Sequence, residues 1–90
     1  MTKALISVTG LDATGIIACV ATKLSEMNIN ILDITQTILD GYFTMMMVVD
    51  LDGAQRPFAE IDEAFDPIRN QLHMTIHLQC MDIFDAMHRI

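Results

Sequence analysis

The residue types best suited to chemistry in this chain stand in a short segment, Gly10 to Gly15, with a glycine at each end and Asp12 between them. Alternating apolar residues before it predict a strand over about 3–9. Apolar residues spaced three or four apart after it predict a helix over about 14–27. The two glycines allow a sharp turn around Asp12. Such a loop aims free backbone N–H groups and a positive dipole end outward, which suits a small anion; a tight connection without a ligand is the alternative.

The other polar candidates favour structural over chemical roles. His73 and His77 share one face of a predicted strand, where two histidines four residues apart lie too far from each other to bind one metal ion. Asp82, Asp85 and His88 are spaced for one face of a helix, but a solvated acidic turn is favoured over a cation site. We therefore expect no metal, no cofactor and no catalytic residue.

Composition limits the partners that the chain can take. Five Lys and Arg residues stand against twelve Asp and Glu, and the net charge of −7 argues against nucleic acid and against an anionic membrane surface. The 90 residues are expected to form a single domain over 1–90. Since 52% of them are apolar and only 19% are charged, we expect a partner to cover some of the apolar surface.

Targeting signals are not recognisable in the sequence. No apolar run approaches the length of a membrane span, and the start of the chain lacks the pattern of a signal peptide. The two cysteines, Cys19 and Cys80, show neither a C-x-x-C pair nor a metal-binding spacing, which favours reduced thiols. The expected location is the cytoplasm.

Periodicity predicts the order βαββαβ, with strands over about 3–9, 30–39, 42–51 and 74–81 and helices over about 14–27 and 57–72. Asp40 and Gly41 predict a two-residue hairpin turn. Pro67 lies inside the second helical pattern, so this helix should kink or restart there with Asp66 as its cap. The order is typical of a ferredoxin-like α+β sandwich, a four-stranded antiparallel sheet with two helices on one face.

The alternation assigns the strand residues to two faces of the sheet. The apolar set should face the helices: Ala4, Ile6, Val8, Leu32, Ile34, Met74, Ile76 and Leu78. A polar set should face away from them: Ser7, Thr9, Asp33, Thr35, Thr37, Thr75, His77 and Gln79. The third strand is apolar on both faces, which indicates a central place or a cover on the second face, unless its methionines only fill gaps.

Three motifs resemble those of the ACT domain, a small-molecule-sensing module of amino-acid metabolism. They are D-x-x-G-I from Asp12 to Ile16, N-x-N-I from Asn28 to Ile31, and the hairpin from Asp40 to Phe43. The ending, Met87 to Ile90, is similar to that of small stand-alone ACT proteins related to the glycine-cleavage-system transcriptional repressor. The apolar residues of this last segment, Ile83, Phe84, Met87 and Ile90, are expected to dock on the domain itself or across a dimer.

The resemblance implies a homodimer or a higher even oligomer that holds a small amino acid between two chains. The loop of one chain would meet the start of the second strand of the other. The implied ligand-binding residues are Gly10, Leu11, Asp12, Ala13, Thr14, Gly15 and Ile16, together with Asn30 and Ile31. Serine-sensing relatives carry His and Asn where this chain has Gly10 and Asp12, so serine specificity does not transfer. An aspartate there suits an ammonium group rather than a carboxylate.

Enzymes and other binding modules of similar fold need residues that this chain does not have in the required places. Acylphosphatases need an arginine in the first loop and metal chaperones need paired cysteines there, and this loop has neither. RNA-binding versions need aromatic residues on the central strands, whereas the first strand has none and the third is rich in methionine. The sequence thus predicts a protein that is not an enzyme. It acts either as an amino-acid sensor with a regulatory role or as an interaction module without a ligand, working through a protein partner.

Overall fold

Four strands and three helices make up the computed structural model, which describes residues 2–11, 13–72 and 74–81. They are β1 (Lys3–Gly10), α1 (Ala13–Glu26), β2 (Asn30–Leu39), β3 (Tyr42–Asp50), α2 (Phe58–Glu63), α3 (Asp66–Leu72) and β4 (Thr75–Cys80). The sheet has the order β2-β3-β1-β4, and every neighbouring pair is antiparallel. The predicted ferredoxin-like fold is confirmed. The expectations for Asp12, His73 and the segment 82–90 lie outside the described residues.

The core lies between the helices and one face of the sheet, with β1 at its centre. Burial alternates along β1, so that Ala4, Ile6 and Val8 are fully buried while the residues between them are half-exposed. Met74 and Ile76 are buried with them, and Leu78 packs against the same cluster. The helix-facing sets predicted for the first and last strands are therefore confirmed. The helices contribute Ile16, Val20, Leu24, Ile61 and Ile68, and Phe65 between α2 and α3 joins them.

The second strand departs from the prediction. All ten residues of β2 are exposed, because it is an edge strand whose single neighbour among the described strands is β3. Ile34 does lie opposite Met47 on the helix side but stays 42% exposed. Leu32 is the extra residue of a β-bulge between Ile31 and Asp33. The prediction that Leu32 faces the helices as part of a regular alternation was therefore wrong. The bulge leaves Asp33, Thr35 and Thr37 on the face away from the helices, opposite Val48, Met46 and Thr44.

The predicted break in the second helix is confirmed. The helix α2 ends at Glu63 and α3 starts at Asp66, which places Pro67 in a first turn, where its missing N–H group costs no helical hydrogen bond. Asp66 was expected as the cap; it is the first residue of α3, and its carboxylate accepts a hydrogen bond from Arg69. Phe65, between the two helices, is fully buried.

Arg69 connects both short helices to the sheet. Its Nε and Nη2 donate to the carbonyl oxygen of Ile76 in β4, at 3.1 and 2.9 Å. Its Nη1 donates to the carbonyl of Asp62 and the carboxylate of Asp66, while Nη2 lies 2.6 Å from Oδ1 of Asp62. Burial alone would lower the pKa of Arg69, but the hydrogen bonds and charges of Asp62 and Asp66 outweigh it and raise the pKa.

The end of α1 is a Schellman motif that uses asparagine in place of glycine. Asn28 has the left-handed φ of 58°, its N–H donates to the carbonyl of Ser25, and the N–H of Ile29 donates to that of Leu24. The side chain of Asn28 also donates to the carbonyl of Gly53, at 3.1 Å. A Cβ at Gly53 would lie 2.7 Å from the carbonyl oxygen of Asn28, so the two backbones can meet only at a glycine.

We expect Arg69→Lys to lower the free energy of unfolding by about 1.5–3 kcal/mol, because an ammonium group cannot reproduce the planar set of charge-assisted hydrogen bonds. Arg56→Lys, the same change at an exposed site, should stay within about 0.5 kcal/mol. Urea denaturation measures the free energy of unfolding of the two variants and of the parent protein. Equal stabilities would contradict the structural role of Arg69.

Asn28→Ala should destabilise the protein by about 1–2 kcal/mol, because alanine disfavours the left-handed conformation and loses the hydrogen bond to Gly53. Asn28→Gly keeps the backbone conformation accessible and should lose less than half of that amount. The midpoints of thermal unfolding rank the two variants. A glycine variant as unstable as the alanine variant would show that the left-handed backbone is not what Asn28 contributes.

Candidate functional site

The loop between β1 and α1 is shorter than the sequence predicted. Gly10 is the last residue of β1, paired with Phe43, while Ala13, Thr14, Gly15 and Ile16 form the first turn of α1. Of the described loop residues, Leu11 is 75% exposed. Ile16 is 1% exposed and belongs to the core, so its side chain does not point to solvent.

The two glycines of this segment do not form a left-handed turn, and Gly10 serves close packing. Among the described glycines only Gly41 has a positive φ, in the predicted hairpin turn. A Cβ on Gly10 would lie 2.6 Å from Cδ1 of Ile16, so the absent side chain lets α1 approach the sheet. Gly15 lies within α1. The expectation of a loop that extends from Gly10 to Gly15 was therefore wrong, because Gly10 ends β1 and Gly15 lies within α1.

Asn30 and Ile31 lie at the start of β2, beside a surface depression. This depression has a volume of about 400 Å³ and is lined by Ala21, Leu24, Ser25, Asn28, Ile29, Asn30 and Ile31. Asn30 pairs with Asp50, and Ile31 with Val49. The Schellman motif directs the chain from α1 into β2 and so places both asparagines of N-x-N-I at this end of the molecule.

A second depression lies along the other half of the same edge strand. It has a volume of about 410 Å³ and is lined by Ile17, Gln36, Thr37, Ile38 and Phe43. Gln36 lies opposite Met45, on the helix side of β2 between the two apolar residues Ile34 and Ile38. The prediction of site residues missed this set. The one signal in the sequence is Gln36 itself, an amide where the alternation calls for an apolar residue.

The predicted halves of the site lie at opposite ends of the domain. Asn30 pairs with Asp50, which in turn pairs with Lys3 at the start of β1. Gly10, before the loop, pairs with Phe43 at the other end. Lys3 and Gly10 are seven residues apart along β1, which separates the two ends by about 23 Å. A single chain therefore does not bring Asn30 and Ile31 to the loop and the first turn of α1.

The remaining candidates lie apart from these depressions. His77 is exposed on the sheet face away from the helices, opposite Ser7. Cys19 and Cys80 are free thiols of intermediate burial. No cluster of three or more potential metal ligands was found in residues 2–11, 13–72 and 74–81. Across the same residues, no helix has the length and apolar character needed to span a membrane.

Comparison with known proteins identifies relatives along nearly the whole chain. The ACT domain profile matches residues 2–83. A UPF0237 protein of Streptococcus mutans is 49% identical over 88 residues, covering 98% of this chain and 99% of its own length. The structure of an ACT domain protein from Streptococcus pneumoniae is 42% identical, with a TM-score of 0.81 and coverage of 92% of this chain and 93% of that one.

A more distant structure is that of the regulatory subunit of aspartate kinase from Thermus thermophilus in its ligand-free form. It is 29% identical, with a TM-score of 0.65, and the match covers 87% of this chain and 50% of that subunit. The extent of the profile match and the close relatives agree with the D-x-x-G-I and N-x-N-I motifs. The chain belongs to the ACT domain family.

Proposed function

We propose that this protein is a regulatory amino-acid sensor that acts as a homodimer, with each ligand site shared between two chains. The observation that carries the proposal is the exposure of β2 along its whole length, at the edge of the sheet. An edge strand offers a row of backbone donors and acceptors to another chain. Here it also offers the exposed side chains of Ile31, Ile34 and Ile38.

One antiparallel register pairs β2 with a second β2 along its whole length. With Leu32 set aside as the bulged residue, Thr35 is the middle position of the ladder. A twofold axis at Thr35 puts Asn30 opposite Leu39 of the second chain, and every residue then meets one that points to the same face. In this register Asp33 meets Thr37 and not its own copy, so no like charges face each other.

The same register joins the two halves of the predicted site. Ile31 of one chain meets Ile38 of the other, which places the depression around Asn30 beside the depression around Gln36. The first turn of α1 lies at the latter end. Each dimer then has two equivalent composite sites. Their described polar side chains are neutral amides and hydroxyls, which suits a small zwitterion better than a strongly charged ligand.

A regulatory role fits the relatives and the chemistry. The aspartate kinase structure is, by its own description, a regulatory subunit. No described cluster of side chains suggests catalysis. In this proposal the sensor transmits its signal to a protein partner. The free thiols of Cys19 and Cys80 suit the reducing cytoplasm, where amino-acid metabolism takes place.

The proposed dimer is tested with Ile38→Lys. Because Ile38 is 73% exposed, the change should leave the fold intact, but it places a charge in the paired edge and should yield monomers. Phe58→Lys, at an exposed residue of α2, is the control and should keep the mass of the parent protein. Equilibrium sedimentation at micromolar concentration measures the masses. A monomeric parent, or an Ile38→Lys variant that still associates, would refute the shared site.

The proposed site is tested by thermal-shift screening of the amino acids. A ligand at 100 times its dissociation constant should add about 2.7 kcal/mol to the free energy of unfolding. Asn30→Ala should weaken binding by about 0.5–1.5 kcal/mol, and Asn70→Ala, at an exposed position of α3, should have no effect. Equal effects of the two variants would refute the site. If no amino acid stabilises an intact dimer, the interaction module without a ligand becomes the better description.

A further inference from the structure

A groove lies at the corner of the domain where β4 ends and where the chain passes from β3 to α2. It has a volume of about 320 Å³, and its lining includes the apolar side chains of Leu51, Phe58 and Cys80 and the charged side chains of Asp52 and Arg56. Phe58 is 36% exposed and Cys80 is half-buried. Among the described residues that line the groove, none belongs to the proposed ligand sites. The groove is therefore a separate apolar surface.

The register of the sheet explains why this corner is open. Cys80 pairs with Ala4, whose side chain is fully buried on the helix side. Since directly paired residues of an antiparallel sheet point to the same face, Cys80 also lies on the helix side. The helices reach β4 at Ile76, which is buried and whose carbonyl oxygen accepts hydrogen bonds from Arg69. Four residues later, at Cys80, the same face of β4 is no longer fully covered.

We propose that residues 82–90, which lie outside the described part of the chain, bind in this groove of their own chain, with Ile83 and Phe84 against Phe58 and Cys80. The segment leaves β4 at the groove itself, because Cys80 is both the last residue of β4 and part of the lining. Ile83 and Phe84 are the third and fourth residues after Cys80, so their reach is about 10–14 Å. This reach keeps two large apolar side chains at this corner of the domain.

Charge favours the same segment as the occupant. Arg56 is an exposed cation on the rim of the groove, and no ion pair among residues 2–11, 13–72 and 74–81 involves it. Asp82 and Asp85 stand on either side of the two apolar residues, so docking brings carboxylates towards this guanidinium group. The carboxylate of Asp52, on the same rim, already accepts a hydrogen bond from the backbone N–H of Thr2 at 2.9 Å.

The topology favours docking within one chain over docking on a second copy. β4 lies at the edge of the sheet opposite to β2. A second chain paired along β2 would have its own β4 seven strand spacings away, or about 34 Å across the joined sheets. This distance exceeds the reach of Ile83 and Phe84 from Cys80. The inference therefore goes beyond the proposed function and holds for a monomer as well as for a dimer.

The docking is tested by the rate at which iodoacetamide alkylates Cys80 in the full chain, measured by mass spectrometry of peptides. Phe84→Ala and Phe58→Ala should each raise this rate by about tenfold, which corresponds to a loss of about 1.4 kcal/mol of docking free energy. The double variant should react no faster than the faster single variant. Cys19, a half-buried thiol on α1, reports on unfolding and should keep its rate. Leu11→Ala, at a residue 75% exposed beyond the other end of β1, is the control and should change neither rate.

Thermal unfolding of the same variants gives a second measurement. The decreases in melting temperature caused by Phe58→Ala and Phe84→Ala should not add in the double variant, whereas any decrease caused by Leu11→Ala should add to either. Additive decreases overturn the docking. It is also overturned by an unchanged Cys80 rate in Phe84→Ala, or by an equal acceleration of Cys19, which would report loss of the fold.

The Ile38→Lys variant separates this inference from the proposed function. Its monomers should keep the slow alkylation of Cys80, because the segment and the groove belong to one chain. Fast alkylation in these monomers would place the segment on a second chain and overturn docking within the chain. A parent protein that is already monomeric contradicts the proposed dimer alone, and the Cys80 rates then decide the docking unchanged.

Discussion

The antiparallel pairing of β1 with β3 on one side and β4 on the other is the interaction on which the rest of the structure depends. Both edges of β1 are hydrogen-bonded in this arrangement, and Ala4, Ile6 and Val8 are buried beneath the helices. The hairpin from β2 to β3 can then attach only through β3, so β2 must lie at the edge. The exposed isoleucines of β2 and the separation of the two depressions both follow from this one arrangement.

The sequence was most informative where a strand is central and regular. The alternation of β1 and β4 could be assigned to faces because neither strand contains a bulge and each has a buried side. The two-sided apolar pattern of β3 is explained by its central place between β1 and β2, with Met45 and Met47 in the core and Met46 on the face away from the helices. The restart at Pro67 was readable because a missing N–H group is a local constraint.

The errors came from features that depend on tertiary contacts. Ile31, Leu32 and Ile34 fit two registers equally well, and only the pairing with β3 decides that Leu32 is the bulged residue. Gly10 was interpreted as a turn residue, because the sequence does not show that Ile16 of α1 occupies the space of its missing side chain. The cap at Asn28 likewise depends on Gly53, which follows 25 residues later in the chain. The site itself was predicted as two motifs, and no local pattern shows that they lie at opposite ends of the domain.

In the proposed dimer, that separation has a thermodynamic consequence. A lone chain would hold half of each proposed composite site, so ligand binding and subunit association would be linked equilibria: the ligand would tighten association, and association would tighten ligand binding by the same factor. The response then depends on the abundance of the protein as well as on that of the amino acid. A cell could shift the threshold of the sensor by changing how much of it is made, with no change in any residue of the site.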